Sequence, residues 1–279
     1  MLNSKAGRTL AASFLLAGTS LMQASPVVFT STSTTAAGIQ STVDDFRASL
    51  GGILNPPGVC TPGPCTSGRR EVNWDAVPPS AFNPFPGDFF NNNGTLAGRT
   101  RGLILTPPTD GSFQVDNNVN QFGFPGNFPS FSPQLIFAAL SPTNATFNIR
   151  FAVPGQPGNF ATTNGFGIVF LDVETANSTV MRFFDVNGTL VHTAFAQANS
   201  TSGAFSFLGV SFTTERIARI EVTAGSGGFC SNGTTDCVAM DDFIYGEPQS
   251  QVPEPSTVTF TLAGLGGMLY AARRRRKKS

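Results

Sequence analysis

Met181-Arg182-Phe183-Phe184-Asp185-Val186-Asn187-Gly188-Thr189-Leu190-Val191 reads as a β-hairpin. Two short apolar runs flank Asn187-Gly188, a pair suited to a type I′ turn because both central residues there need positive φ. The same pattern extends to both sides. Runs rich in Phe, Val and Ile alternate with Asn, Gly and Pro clusters, at Leu103–Thr106, Ser112–Asp116, Gln134–Leu140, Ala145–Val153, Phe166–Val173, Thr179–Asp185, Leu190–Phe195, Ala204–Phe212, Ile217–Thr223 and Val238–Tyr245. About ten short strands with no helical pattern between them predict one all-β domain over residues 70–247. The expected architecture is an antiparallel β-sandwich, jelly-roll-like.

Local alternation supports this. Phe147, Ile149, Phe151 and Val153 point one way, and Thr146, Asn148, Arg150 and Ala152 the other. In Phe166–Val173 both faces are apolar, which predicts a strand covered on both sides. One helix is expected ahead of the sandwich, over residues 39–54. Ile39, Val43, Phe46, Leu50 and Ile53 share a face, Ser41 reads as the N-cap, and Gly51-Gly52 as the stop. The Ser/Thr tract Thr30 to Thr35, within residues 25–38, reads as a spacer.

Each cysteine pair brackets a turn-rich loop, Cys60 with Cys65 and Cys230 with Cys237. Four cysteines permit three pairings, and the two local bridges are favoured. Neither spacing is that of a zinc knuckle, and no His lies near.

The formal charge is zero, with 17 basic and 17 acidic residues, and only 12% of the chain is charged. The zero hides a segregation. Lys5 and Arg8 precede an apolar run, Leu10 to Leu21, that reads as a secretory signal ending near Ala24, so residues 1–24 are expected to be removed. At the far end Pro253-Glu254-Pro255 precedes an apolar stretch, residues 257–272, and then Arg273, Arg274, Arg275, Arg276, Lys277 and Lys278. Sixteen helical residues span about 24 Å, short of a roughly 30 Å hydrocarbon core. The basic cluster is expected to stay cytoplasmic, so the body lies across the inner membrane. Without both ends the body holds nine arginines against sixteen acids, a formal charge of −7 with no lysine. That disfavours nucleic acid and anionic lipid as partners.

The order Pro-Glu-Pro, one short membrane segment and a terminal Arg cluster resembles the PEP-CTERM sorting signal of Gram-negative bacteria, over residues 252–279. The resemblance implies processing by an exosortase-type membrane enzyme, transient contact with the inner membrane, and export to the cell surface or extracellular matrix. It also implies association with exopolysaccharide and biofilm. It names an address, not an activity.

For chemistry the chain offers little. His192 stands alone inside a predicted strand, and no phosphate loop, metal cluster of histidines or nucleophile elbow appears. The acidic pair Asp241-Asp242 sits among apolar residues, and at least one of the two must be bordered by the core. A buried carboxylate needs a cation or several donors. Val238–Gly246 resembles the last strand of jelly-roll carbohydrate-binding modules, where such a pair helps hold a structural calcium. That resemblance makes Asp241, Asp242, Glu71 and Asp75 the candidate ligands; the alternative is a hydrogen-bonding Asp at a sheet edge. Trp74, the only Trp, is the candidate sugar platform, with a core position as its alternative. The expectation is an exported non-catalytic surface protein of the polysaccharide matrix that binds glycan. The alternatives are a two-carboxylate polysaccharide hydrolase and a purely structural adhesion protein.

Overall fold

The computed structural model describes residues 25–251, except 94, 118, 124–127, 215 and 232–234. The expected signal peptide and the tail from residue 252, with its membrane segment 257–272, lie outside the described residues. Among the described residues, no helix is long and apolar enough to cross a membrane.

The chain runs β1 (Val27–Ser33), α1 (Ala36–Ser49), β2 (Arg69–Val72), β3 (Leu103–Thr106), β4 (Ser112–Asn117) and β5 (Leu135–Leu140). It continues through β6 (Thr146–Val153), β7 (Gln156–Thr162), β8 (Gly165–Leu171), β9 (Val180–Phe184) and β10 (Leu190–Phe195). It ends with β11 (Phe205–Ser211), β12 (Arg219–Thr223), β13 (Ala239–Gly246) and β14 (Gln249–Ser250). Two seven-stranded sheets form an antiparallel sandwich. The first is ordered β1-β11-β8-β13-β5-β4, with β2 also on β13; the second is ordered β10-β9-β12-β6-β7-β14, with β3 also on β6.

The alternating β6 face of Phe147, Ile149, Phe151 and Val153 points into the shared core, where it meets Phe166, Ile168 and Phe170 of β8. The other face of β8 is covered too. Val169 and Leu171 join a second cluster with Ile39, Val43 and Phe46 of α1. A strand apolar on both faces is stable only between two layers, and β8 is buried along its whole length.

Helix α1 sits close on this sheet because Gly167 and Gly209 face each other across β8 and β11. A Cβ at either would lie 2.8 Å from the Phe46 ring. Gly209→Val is therefore expected to push the helix away and cost about 1–3 kcal/mol by overpacking. The urea midpoint reads the loss, and an unchanged midpoint counts against the seat.

Several expectations are corrected. The spacer at residues 25–38 is instead strand β1, paired with β11 from Val27 to Ser33. It is an edge strand whose side chains stay partly in water, so Ser and Thr serve there as well as Val. The helix begins at Ala36 with Thr35 as N-cap, its hydroxyl accepting from Gly38 N at 3.3 Å; Ser41 lies inside it. Gly51 and Gly52, at φ 99° and 73°, end it before Ile53, which is 62% exposed. The Asn187-Gly188 turn is not type I′. Gly188 alone has positive φ, and Gly188 N donates to Asp185 O at 3.1 Å. The Asp185 carboxylate accepts from Asn187 N and Thr189 N, which holds the wider loop.

Both ends of the body leave from one end of the sandwich. Val27 pairs with Ser211, which pairs with Gly165, while Gln249 pairs with Thr162.

Candidate functional site

Between Met240 and Phe243 strand β13 advances three residues while β8 advances two, from Phe170 to Ile168. This one-residue bulge breaks the alternation. Met240 and Phe243 both face the inner core, and Ala239 and Ile244 face the α1 side. Asp241 and Asp242 occupy the extra step and are 0% and 3% exposed. Asp241 Oδ2 accepts from Phe131 N at 2.6 Å and Ser132 N at 3.2 Å, and the Ser132 hydroxyl donates to Asp242 at 2.6 Å. Burial and the neighbouring Asp242 charge push the Asp241 carboxyl well above the usual carboxylate range; burial raises Asp242 as well.

A cation does reach this pair, and it belongs to the protein. Arg47 of α1 lies 3.5 Å from Asp242 Oδ2 and forms a bidentate pair with Glu71, at 2.9 Å for each bond. Arg69 also binds Glu71, at 2.6 Å. The four acids expected around calcium are therefore divided. Glu71 is taken by two guanidiniums, and Asp75 accepts from Leu135 N at 2.9 Å, where it holds the start of β5. Among the described residues, no three of His, Cys, Asp and Glu are gathered as for a metal.

The raised Asp241 pKa sets a pH dependence. A carboxyl whose folded pKa lies above its unfolded value favours folding below the unfolded value, and that contribution is lost as pH rises through the folded one. Asp241→Asn keeps an acceptor for the two backbone N–H groups and carries no charge. It is expected to gain stability relative to the parent at pH 8, with the advantage shrinking as pH falls to 4. Urea titrations of both proteins across that range measure it; a difference independent of pH would contradict the charged-state account.

Trp74 is not a sugar platform. It is 1% exposed, stacks on Phe137 at 4.2 Å with rings 9° apart, and meets Phe85, Phe90 and Phe243 edge-on. Its Nε1 donates to Asp241 O at 2.8 Å, a backbone group that the bulge frees from the ladder. His192 is half-buried between Phe183 and Phe212, and burial lowers its pKa.

Sequence reading missed the most buried ionic group. Arg70 and Glu247, 1% and 3% exposed, pair through bonds of 2.7 and 2.8 Å. Asn55 Nδ2 and Cys65 N each donate to Glu247 at 3.0 Å, and Arg70 donates to Thr100 O and Val59 O. The network ties the 55–68 loop to the end of β13. Both expected disulfides are formed, Cys60–Cys65 inside that loop and Cys230–Cys237 at the other end, with Cα atoms 5.2 and 4.9 Å apart. Beside Glu247 a pocket of about 220 Å³ opens between Ser49–Gly51 of the helix end and Thr66–Gly68.

The outer face of the second sheet carries side chains in register. Arg150 stands opposite Arg219, and Arg219 opposite Phe184; in the next row Asn148 stands opposite Glu221, and Glu221 opposite Arg182. Arg219 lies 3.7 Å over the Phe184 ring and donates to Asn148 at 2.7 Å.

Residues 251–276 match the PEP-CTERM protein-sorting motif. The chain thus carries the signal, expected from Pro253, Glu254, Pro255 and Arg273 to Arg276, for export and sorting to the cell surface with exosortase as processing partner. The disulfides accord with an oxidising compartment. No curated protein matches the chain. Among solved structures, an arabinose-bound α-L-arabinofuranosidase is 11% identical over 57% of this chain and 28% of that chain, with a TM-score of 0.32. The enzymatically active domain of bacteriophage CBA120 tailspike protein 4 is 17% identical over 58% of this chain and 20% of that chain, with a TM-score of 0.28. Likenesses at this level assign no activity.

Proposed function

We propose that the chain is an exported, non-catalytic surface protein that associates with matrix polysaccharide and binds it through the sandwich. The observation that carries this reading is the junction of address and body. Strand β14 ends at Ser250 and the sorting motif begins at residue 251, so the sandwich follows its tail to the surface with no intervening module. One sheet has its outer face covered by α1, while the other presents an outer face of polar and aromatic side chains. The hydrolase alternative needs two carboxylates that reach a substrate. Asp241 and Asp242 are instead buried beneath α1 and the 131–132 segment, which favours a non-catalytic body.

Affinity electrophoresis of the detergent-solubilised full chain through gels of neutral and acidic polysaccharides tests the binding. Retardation by at least one polysaccharide is expected, without release of reducing sugar. Free mobility in every gel would leave the structural adhesion protein as the better reading, and sugar release would restore the hydrolase. For the address, deleting Arg273–Lys278 is expected to change retention and processing; unaltered localisation contradicts the sorting role.

A further inference from the structure

We infer that the outer face of the second sheet is a binding surface for an acidic, carboxylate-bearing polysaccharide, held by the guanidiniums of Arg150, Arg219 and Arg182. This rests on the polysaccharide reading above and names its chemistry.

The first observation is charge. The exported body is formally −7, yet these two cross-strand rows place three arginines against one acid, Glu221. The second is placement. Arg150 and Arg219 are directly opposite on neighbouring strands, an arrangement that destabilises a sheet unless an anion lies between the charges. Arg219 is 3.8 Å from Glu221, and Arg182 is 3.1 Å from the same carboxylate. Arg150 is exposed, and its side chain has no hydrogen bond or ion pair among the described residues. Two arginines thus share one acid, and the third has none.

The third observation is preorganisation. Arg219 is fixed between the Phe184 ring and Asn148, so its planar fork is presented without further ordering. Side chains of Arg182 and Arg219 remain 39% and 24% exposed, enough to accept a ligand from solvent. Exposed Phe195 and Phe160, on strands of the same sheet, offer apolar faces to a sugar ring.

An occupant must be extended, to follow a row across strands spaced about 4.8 Å apart. It must carry carboxylates, which match the guanidinium fork in bidentate fashion. Its charge must be diluted by neutral hydroxyls, because the surrounding body repels a dense polyanion. A uronate-containing polysaccharide meets all three conditions.

The test uses the full chain in detergent, with polygalacturonate and dextran as probes. Polygalacturonate is expected to bind and dextran to bind at least tenfold more weakly, with the difference falling as salt rises. Arg150→Gln and Arg182→Gln each lower polygalacturonate affinity about tenfold, Arg150→Gln at a urea midpoint no lower than the parent's because it relieves the opposition to Arg219, and Arg150→Lys lowers it less. Equal binding of both probes, unaffected by Arg150→Gln, would overturn this inference and leave the polysaccharide reading standing. Binding of neither overturns this inference, and the polysaccharide reading falls with it only if mobility is also free in every other gel. Equal affinity for duplex DNA or anionic phospholipid vesicles, with the same Arg150 dependence, would overturn the carbohydrate assignment.

Discussion

Glu247→Ala is expected to destabilise the sandwich by about 3–5 kcal/mol, because it leaves the Arg70 guanidinium buried without its anion. Arg70 is 1% exposed and has no other acidic partner among the described residues. The same substitution removes the acceptor of Cys65 N and Asn55 Nδ2, so the 55–68 loop loses its tie to the end of β13. A domain with about 5–15 kcal/mol of total stability would lose a large fraction of it. Urea unfolding of the disulfide-intact protein measures the change. The double variant Arg70→Met, Glu247→Leu should recover much of the loss, because a buried pair often contributes little over apolar residues of similar volume. A single Ala variant within about 1 kcal/mol of the parent would show that water enters the site and that the network is not closed.

Trp74→Ala is expected to cost as much, about 3–5 kcal/mol, by opening a cavity where four Phe rings converge. It also leaves Asp241 O without its indole donor. Trp74→Phe should lose less, since a ring still stacks on Phe137 and the cost is the hydrogen bond and a smaller cavity. As Trp74 is the only Trp, its emission reports this position alone. A blue-shifted emission that moves red on unfolding is expected. Added polysaccharide should leave it unmoved, because Trp74 is buried in the core. Loss of polysaccharide affinity in a Trp74→Ala protein that keeps its urea midpoint would reverse the core assignment.

The strands legible in the sequence carry an apolar pattern of their own, alternating where one face is wet and continuous where both are covered, as in β8. In β6 the alternation Phe147, Ile149, Phe151 against Asn148, Arg150 follows directly from the two-residue period of a strand. Two strands were not legible: β1, at a sheet edge, is rich in Ser and Thr, and β7 (Gln156–Thr162) opens with Gln-Pro-Gly. Each is held by pairing to a neighbour rather than by its own apolar pattern. The disulfides were legible because short loops limit each Cys to a near partner.

The acidic pair shows where local reading stops. Regular alternation separates Asp241 from Asp242 onto opposite faces, but the bulge in β13 shifts the phase by one residue and buries both. Its signal was the pair itself, since two adjacent carboxylates in an apolar strand cannot both be accommodated by regular pleating. Arg47, 24 residues from Glu71, could not be foreseen as their cation until α1 was laid on the sheet.

The class of fold, the two local disulfides and the sorting tail follow from short stretches of chain, because period, loop length and motif order are properties of neighbouring residues. Which charges meet depends on how the sheets stack and in what register. Arg70 finds Glu247 across 177 residues, Trp74 closes over Phe137, and Arg150 comes to stand beside Arg219. These contacts depend on sheet order and register, which are set by the packing of the whole core and not by any segment within it.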